Sequence, residues 1–116
     1  MPYDGTYLDE DTKTLIAARD LLVQYGWCRY IQCDAQGRHC AVGAITGANP
    51  YQGNVILTTA AQHRLLDQLD AIVAEKHPEF ATSPLRASST VTFNNAQTSV
   101  EPILALFDEA IARSMK

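Results

Sequence analysis

Three cysteines and a histidine lie within thirteen residues of this sequence, and they are the side chains best suited to chemistry. Cys28, Cys33, His39 and Cys40 follow a C-x4-C-x5-H-C spacing. Thiolates and imidazoles are common zinc ligands, but structural zinc sites are usually built from closely paired cysteines, which this spacing lacks. Adjacent ligands at positions 39 and 40 are also difficult to direct at one metal. Because free cysteine is among the most buried residue types, we expect packed thiols, no bound metal and no cofactor.

Cys40 is also a candidate catalytic nucleophile. The small residues that follow it favour a short helix, and the positive end of a helix stabilises a thiolate. One of the three histidines as base and an amide from Asn94 or Asn95 would complete a Cys/His/Asn set. His39 is the nearest base in sequence, but adjacent residues rarely have nucleophile–base geometry. A packing role for Cys40 is therefore the competing interpretation.

Side chains suited to binding cluster around the same stretch and near the last helix. Trp27, the only tryptophan, follows a helical pattern and either anchors the core or, if exposed, marks an interface. Asn94 and Asn95 favour a local turn, but an amide pair can also bind a ligand. With Cys28 and Cys40 beside the tryptophan, these five residues are the candidate binding set.

Composition limits the classes of protein that this chain can be. Its 116 residues suit one domain, for which we predict a flexible leader over residues 1–10 and a globular body over 11–116. A net charge of −4 argues against a general nucleic-acid binder or an anionic-membrane binder. No apolar run approaches the roughly 18 residues that a membrane span needs. The acidic start and the odd number of cysteines predict a reduced, cytoplasmic protein.

The elements that must position these side chains are mostly helical. Apolar residues at helical spacing predict a first helix that ends at Tyr25, with Gly26 in the left-handed conformation as its stop. Residues 28–33 alternate like a strand, and 34–37 fit a type I turn that begins with Asp34. Residues 40–47 then predict a short buried helix, although a strand over 38–42 fits the pattern equally well.

The second half of the sequence predicts two more helices and a second β-like run. A long helix follows Thr59, a loop covers residues 78–89, and 90–93 resemble a strand because they are rich in threonine and valine. A capping box at Thr98 and Glu101 predicts the start of the last helix. The fold class is therefore α+β and mostly helical, with three longer helices, one short buried helix and a small β element pairing 28–33 with 90–93.

Three short motifs resemble an uncharacterised bacterial family. They are GWC at 26–28, DAQGRHCAVGAI at 34–45, and FNN at 93–95 followed by Thr98 and a terminal helix. The family is found mainly in actinobacteria and their phages, with Trp-Asn-Asp where this chain has Phe93, Asn94 and Asn95. An asparagine at 95 cannot ionise, so an acid/base or metal-binding role for that position is not implied here. The resemblance names a family of unknown function without naming a reaction.

The sequence favours a small intracellular binding or interaction domain, borne by a phage or an accessory gene, that acts through a protein partner. A small cysteine-dependent enzyme using Cys40 with Asn94 or Asn95 is the alternative. We also predict that Trp27, Cys40 and Phe93 lie at one core, with the asparagine pair at its polar edge. On this interpretation, Cys40→Ser buries a hydroxyl without a partner and costs about 1–3 kcal/mol.

Overall fold

The computed structural model describes residues 10–31, 33–48, 59–80 and 89–115, and these ranges contain five α-helices and one 3₁₀ turn. The elements in chain order are α1 Glu10–Tyr25, α2 Ala41–Gly47, α3 Thr59–Lys76, the 3₁₀ turn Pro78–Phe80, α4 Ser89–Ala96 and α5 Glu101–Ser114. The described ranges hold no β-strand, so the predicted α+β class is wrong and the fold is all-helical in these ranges. The predicted leader and the turn-rich segment 49–54 lie outside the described residues, except that α1 already begins at Glu10.

Within the predicted strand at 28–33, residues 28–31 form a bent loop, and the described residues of this range make only isolated bridges. His39 bridges Trp27 in parallel and Cys33 in antiparallel fashion, and no ladder extends from either pair. Tyr30 explains the break because its φ of +75° is incompatible with extended backbone. An alternating side-chain pattern therefore lies here on a loop.

The predicted strand at 90–93 is part of helix α4. Asp70 on α3 caps this helix, since its Oδ1 accepts hydrogen bonds from the Thr90 amide at 2.9 Å and the Thr90 hydroxyl at 2.6 Å. Phe93 is buried, stacked on His77 and edge-on to Phe80, with ring centroids 4.7 and 5.6 Å away. These tertiary contacts outweigh the β-propensity of the threonines and valine.

The turn around Gly26 agrees with the sequence prediction. Gly26 has a φ of +101°, and its amide donates to the Leu22 carbonyl at 3.1 Å, which ends α1. The turn at 34–37 is also present, closed by a 3.1 Å bond from the Gly37 amide to the Asp34 carbonyl. Since α2 begins at Ala41, the short buried helix is confirmed over the alternative strand at 38–42.

One apolar core joins the helices. Helix α1 packs against α2 and α5, α3 packs against α4 and α5, and α2 also contacts α4. Its buried members come from every helix: Leu15, Ala18, Leu22, Ala41, Ala44, Ile45, Leu65, Leu69, Ile72, Val73, Phe93, Ile103, Leu106, Phe107, Ala110 and Ile111. These positions follow apolar stripes at helical spacing, and Trp27 packs against the same core.

The ends of the longer helices differ in detail from the prediction. Helix α5 begins at Glu101 after Val100, whose backbone is already helical, and no side chain caps it, so the predicted capping box at Thr98 is wrong. Tyr25, the last residue of α1, is 53% exposed although tyrosine is a largely apolar side chain. Among the described residues, no helix combines the length and the apolar character that a membrane crossing requires.

Candidate functional site

Asn94 is the centre of a polar network that joins α4 to the loop before α2. Its side chain is 1% exposed. Asn94 Oδ1 accepts hydrogen bonds from Trp27 Nε1 at 2.8 Å and from the Ala41 amide at 3.0 Å. Asn94 Nδ2 donates to the Cys28 carbonyl at 3.3 Å and to Asn95 Oδ1 at 3.2 Å. Both ends of the amide are therefore satisfied, as a buried polar side chain requires.

Asn95 continues this network to the surface. Its Oδ1 accepts the Tyr30 amide at 2.9 Å in addition to the Asn94 amide. This bond holds a residue with a strained backbone, since a tyrosine at φ +75° costs about 1–2 kcal/mol. The Tyr30 side chain is 74% exposed, and its neighbour Ile31 is 55% exposed. The asparagine pair thus holds the backbone of a loop that carries an exposed aromatic and an exposed aliphatic side chain.

Arg29 makes the remaining bond between this loop and α4. Its Nη1 donates to the Gln97 carbonyl at 3.0 Å, and its guanidinium carbon lies 5.2 Å from the Tyr30 ring centroid. That distance is within the range of a cation–π contact. We call residues 29–31 the presentation loop, because Asn95 on α4 holds the Tyr30 backbone while the side chains of Tyr30 and Ile31 are exposed.

Cys40 lies at the N-terminus of α2, beside the same network. It is the N-cap residue, and its Sγ accepts a hydrogen bond from the Gly43 amide at 3.3 Å. With Tyr30, Ile31, Asn94 and Asn95 it lines a cleft of about 170 Å³. The thiol is 8% exposed, so it is mostly a packed side chain at the bottom of that cleft.

Burial, hydrogen bonds and charges around the 34–37 turn shift the pKa values of Cys28 and Asp34. Burial, followed by the Asp34 carboxylate, raises the pKa of the Cys28 thiol above its ordinary value of 9.0. Cys28 Sγ donates to the carbonyls of Ile31 and Arg38, each at 3.3 Å, which suits a protonated thiol. Desolvation acts to raise the pKa of Asp34, but bonds from the Arg38 amide, the Arg38 guanidinium and the Gln36 amide outweigh it. The net result is a lowered pKa.

The histidines do not complete a catalytic set with Cys40. His39 packs its Nε2 side near Gly47, at the opposite end of α2 from Cys40, and its buried Nδ1 has no hydrogen-bond partner among the described residues. His77 is half-buried against Phe93, and His63 is exposed on α3. Within the described ranges, no three His, Cys, Asp or Glu side chains are grouped so that they could hold a metal ion.

The five candidate binding residues therefore lie together, as the sequence predicted, but their roles differ. Asn94 is buried within a helix and not in a turn at a polar edge. Trp27 is half-buried against the core, with its indole N–H held by that asparagine. The sequence interpretation missed Arg29, Tyr30 and Ile31 because their alternation resembled a strand. The adjacent arginine and tyrosine at positions 29 and 30 are the sequence feature that could have marked this loop.

The site and fold define a small helical domain with a pinned, solvent-facing loop and an amide network beneath it. Residues 6–113 match the family of unknown function DUF6197, and the chain belongs to that family. Neither the comparison with curated proteins nor the comparison with solved structures found a match.

Proposed function

We propose that this chain is a small cytoplasmic binding domain that recognises a protein partner through the presentation loop. The observation that carries this proposal is the backbone of Tyr30, whose φ of +75° is maintained although its side chain is 74% exposed. Such strain persists only where the surrounding structure enforces it, and it is concentrated at functional sites. Here the enforcement comes from Asn95, which is itself held by Asn94.

The composition of the loop fits a protein partner. Tyrosine and arginine are enriched among the residues that dominate interface energies, and Ile31 extends the apolar surface beside them. A loop already fixed in one conformation loses little entropy on binding, which favours affinity. A larger cleft of about 430 Å³ beside Arg29 is open to solvent. The cleft beside Cys40, of about 170 Å³, is smaller than the roughly 300–1,000 Å³ of typical small-molecule sites. It suits one side chain of a partner better than a whole substrate.

A cysteine-dependent enzyme is the weaker alternative. Cys40 borders the cleft and receives an amide N–H, which would suit a nucleophile. A nucleophile also needs a base within hydrogen-bond reach, and His39 points toward the far end of α2. The packing role of Cys40 as a helix cap accounts for its position without catalysis. A setting in a phage or an accessory gene remains part of the proposal, as does the absence of general nucleic-acid or membrane binding.

Tyr30→Asn tests the proposal because asparagine tolerates the left-handed conformation. We expect this variant to fold with equal or slightly higher stability, by up to about 1 kcal/mol, while it loses its partner. Tyr25→Asn is the matched control, since Tyr25 is also exposed but lies at the end of α1, outside the loop. The measurement is quantitative mass spectrometry of proteins retained from a lysate of the native host by wild type and by each variant.

Retention of the same specific proteins by wild type and Tyr30→Asn would contradict the proposal. Loss of a cellular activity in a stably folded Cys40→Ser variant, with partner retention unchanged, would instead support the enzyme.

A further inference from the structure

Arg29 differs from the other arginines that the structure describes. The other four each bind a carboxylate: Arg19 binds Asp108, Arg38 binds Asp34, Arg64 binds Asp11, and Arg113 binds Glu75 and Glu109. Within the described ranges, the one hydrogen bond of Arg29 goes to the Gln97 carbonyl. A guanidinium has five N–H donors, so most of its hydrogen-bonding capacity is not used by these residues.

The surroundings of Arg29 leave room for an anionic group. Arg29 lines an open cleft of about 430 Å³ together with Trp27, Tyr30, Asp34 and Arg38. Asp34 is the carboxylate of this cleft, and it already accepts bonds from the Gln36 amide, the Arg38 amide and Arg38 Nε. Among the described residues, the cleft therefore carries one guanidinium without a counter-charge, flanked by aromatic side chains.

We propose that Arg29 binds the carboxylate of an aspartate or glutamate in the partner protein, while an apolar neighbour of that residue packs on Tyr30 and Ile31. This inference rests on the proposed function and specifies the partner's chemistry. Arginine binds carboxylates through two parallel N–H···O bonds, and its contact with the Tyr30 ring orients the guanidinium plane. The bond to Gln97 holds the other side of the group, so little side-chain freedom is lost on binding.

Charge complementarity favours an acidic peptide over a polyanion. A phosphate polymer would need several free cations in a row, and the net charge of the chain is −4. A single unpaired guanidinium matches a single carboxylate. The exposed Tyr30 and Ile31 beside it match an apolar side chain, which a nucleic-acid backbone does not offer.

A random twelve-residue peptide library displayed on phage and selected on the immobilised full chain tests this inference. We expect the enriched peptides to share an acidic residue next to an apolar one. Arg29→Gln should select peptides without the acidic residue, and Tyr30→Asn should select none of them. Arg19→Gln is the matched control because it removes the same charge from an arginine that binds Asp108, and it should select the wild-type motif.

The best peptide is then synthesised in two versions, one with the acidic residue and one with asparagine or glutamine in its place. Isothermal titration calorimetry of the two versions measures how much the contact between the carboxylate and Arg29 contributes to affinity. The amide should bind wild type about fivefold more weakly and should bind Arg29→Gln as well as the acid does. The comparison between the two peptides on wild type needs no protein variant, so a folding defect in Arg29→Gln does not affect it. Equal affinity of acid and amide for wild type, with binding still lost in Tyr30→Asn, would overturn this inference and leave the proposed function intact. If wild type enriched no peptides beyond those selected on Tyr30→Asn, both this inference and the proposed function would be overturned.

Discussion

Asn94→Ala is the substitution expected to be most damaging among the polar residues of the site. It removes the acceptor for the Trp27 indole and the Ala41 amide, and it removes the donor to the Cys28 carbonyl. Ala41 is fully buried, so water cannot replace that bond. Trp27 and Cys28 are half-buried, and their groups regain part of their hydration.

The loss in the free energy of unfolding follows from the three groups that Asn94→Ala leaves without their hydrogen-bond partner. A buried backbone N–H without a partner costs about 1–3 kcal/mol, and each half-buried group adds about 0.5–1 kcal/mol. The vacated side-chain volume adds a further contribution, for a total of about 3–4 kcal/mol. A domain of this size is typically stable by about 5–15 kcal/mol, so the variant should still fold in dilute buffer. Its urea midpoint should fall by about 2 M at a slope near 1.5–2 kcal/mol/M.

Equilibrium urea unfolding followed by the fluorescence of the single tryptophan measures this loss, because Trp27 reports directly on the network. Trp27→Phe removes one donor but leaves Asn94 Oδ1 bonded to Ala41, and it should cost only about 1 kcal/mol by far-UV circular dichroism. A loss below 1 kcal/mol in Asn94→Ala would refute the argument that the network stabilises the fold.

The adjacent asparagines provide a matched pair of aspartate substitutions. Asn94→Asp places an oxygen 3.3 Å from the Cys28 carbonyl and buries a charge, so it should destabilise strongly at neutral pH. The new carboxyl should titrate at a raised pKa in the folded state. The Asn94→Asp variant should therefore be most stable below the pKa that this carboxyl has in the unfolded chain. Its stability should fall as pH rises through the pKa that the carboxyl has in the folded protein. Asn95→Asp keeps the Oδ1 acceptor that Tyr30 uses and should stay within about 1 kcal/mol of wild type. Equal losses in the two variants would refute these assignments.

Three further predictions concern the turn and the helix cap. Gly26→Ala and Gly37→Ala should each lower the free energy of unfolding in urea by about 1–2 kcal/mol, because both glycines have positive φ. The loss should be larger at Gly26, because the added Cβ would lie 3.0 Å from Arg38 Cγ. Cys40→Ser should change stability by less than about 1 kcal/mol, because the Gly43 amide can donate to the new hydroxyl and serine is a good N-cap. This result would differ from the loss of about 1–3 kcal/mol expected from the sequence. Cys40→Ala, which has no acceptor for that amide, should be less stable than Cys40→Ser. The lowered pKa of Asp34 contributes stability above its unfolded value of 3.8 that is lost as pH falls through the folded pKa, so Asp34→Asn should flatten the acid side of a plot of melting temperature against pH.

The sequence predicted the longer helices because their apolar residues recur at a spacing that one helix face can bury. It predicted the stop at Gly26 for an equally local reason, the low cost of positive φ for glycine. Helix α4 was missed because its determinants are remote. Asp70, twenty residues upstream, caps it, and the His77 and Phe80 rings enclose Phe93. Local propensity favours a strand there, and contacts of this kind are absent from any short window.

The sequence predicted that Trp27, Cys40 and Phe93 lie in or beside one core, with the asparagine pair at its polar edge. In the structure Cys40 and Phe93 are buried and Trp27 packs against the core, but Asn94 is itself buried. The direction of each side chain depends on how α2 and α4 cross, which the sequence does not encode locally. The strain at Tyr30 was equally hidden, because positive φ at a tyrosine contradicts its intrinsic preference and results only from the bond to Asn95.

The groups around position 94 need hydrogen-bond partners, which explains why a buried asparagine lies there and why an apolar residue could not replace it. Two of the groups it bonds, the Ala41 amide and the Cys28 carbonyl, belong to the backbone, so no substitution other than proline at position 41 removes either of them. One is a donor and the other an acceptor, and an amide side chain offers both functions from one short stem. A leucine would fill similar space and leave both groups without partners. The same amide orients Asn95, which holds Tyr30, so the bond that stabilises the fold also fixes the exposed loop. Asn94→Ala should therefore lose both stability and binding of the partner, whereas Tyr30→Asn should lose binding without a loss of stability.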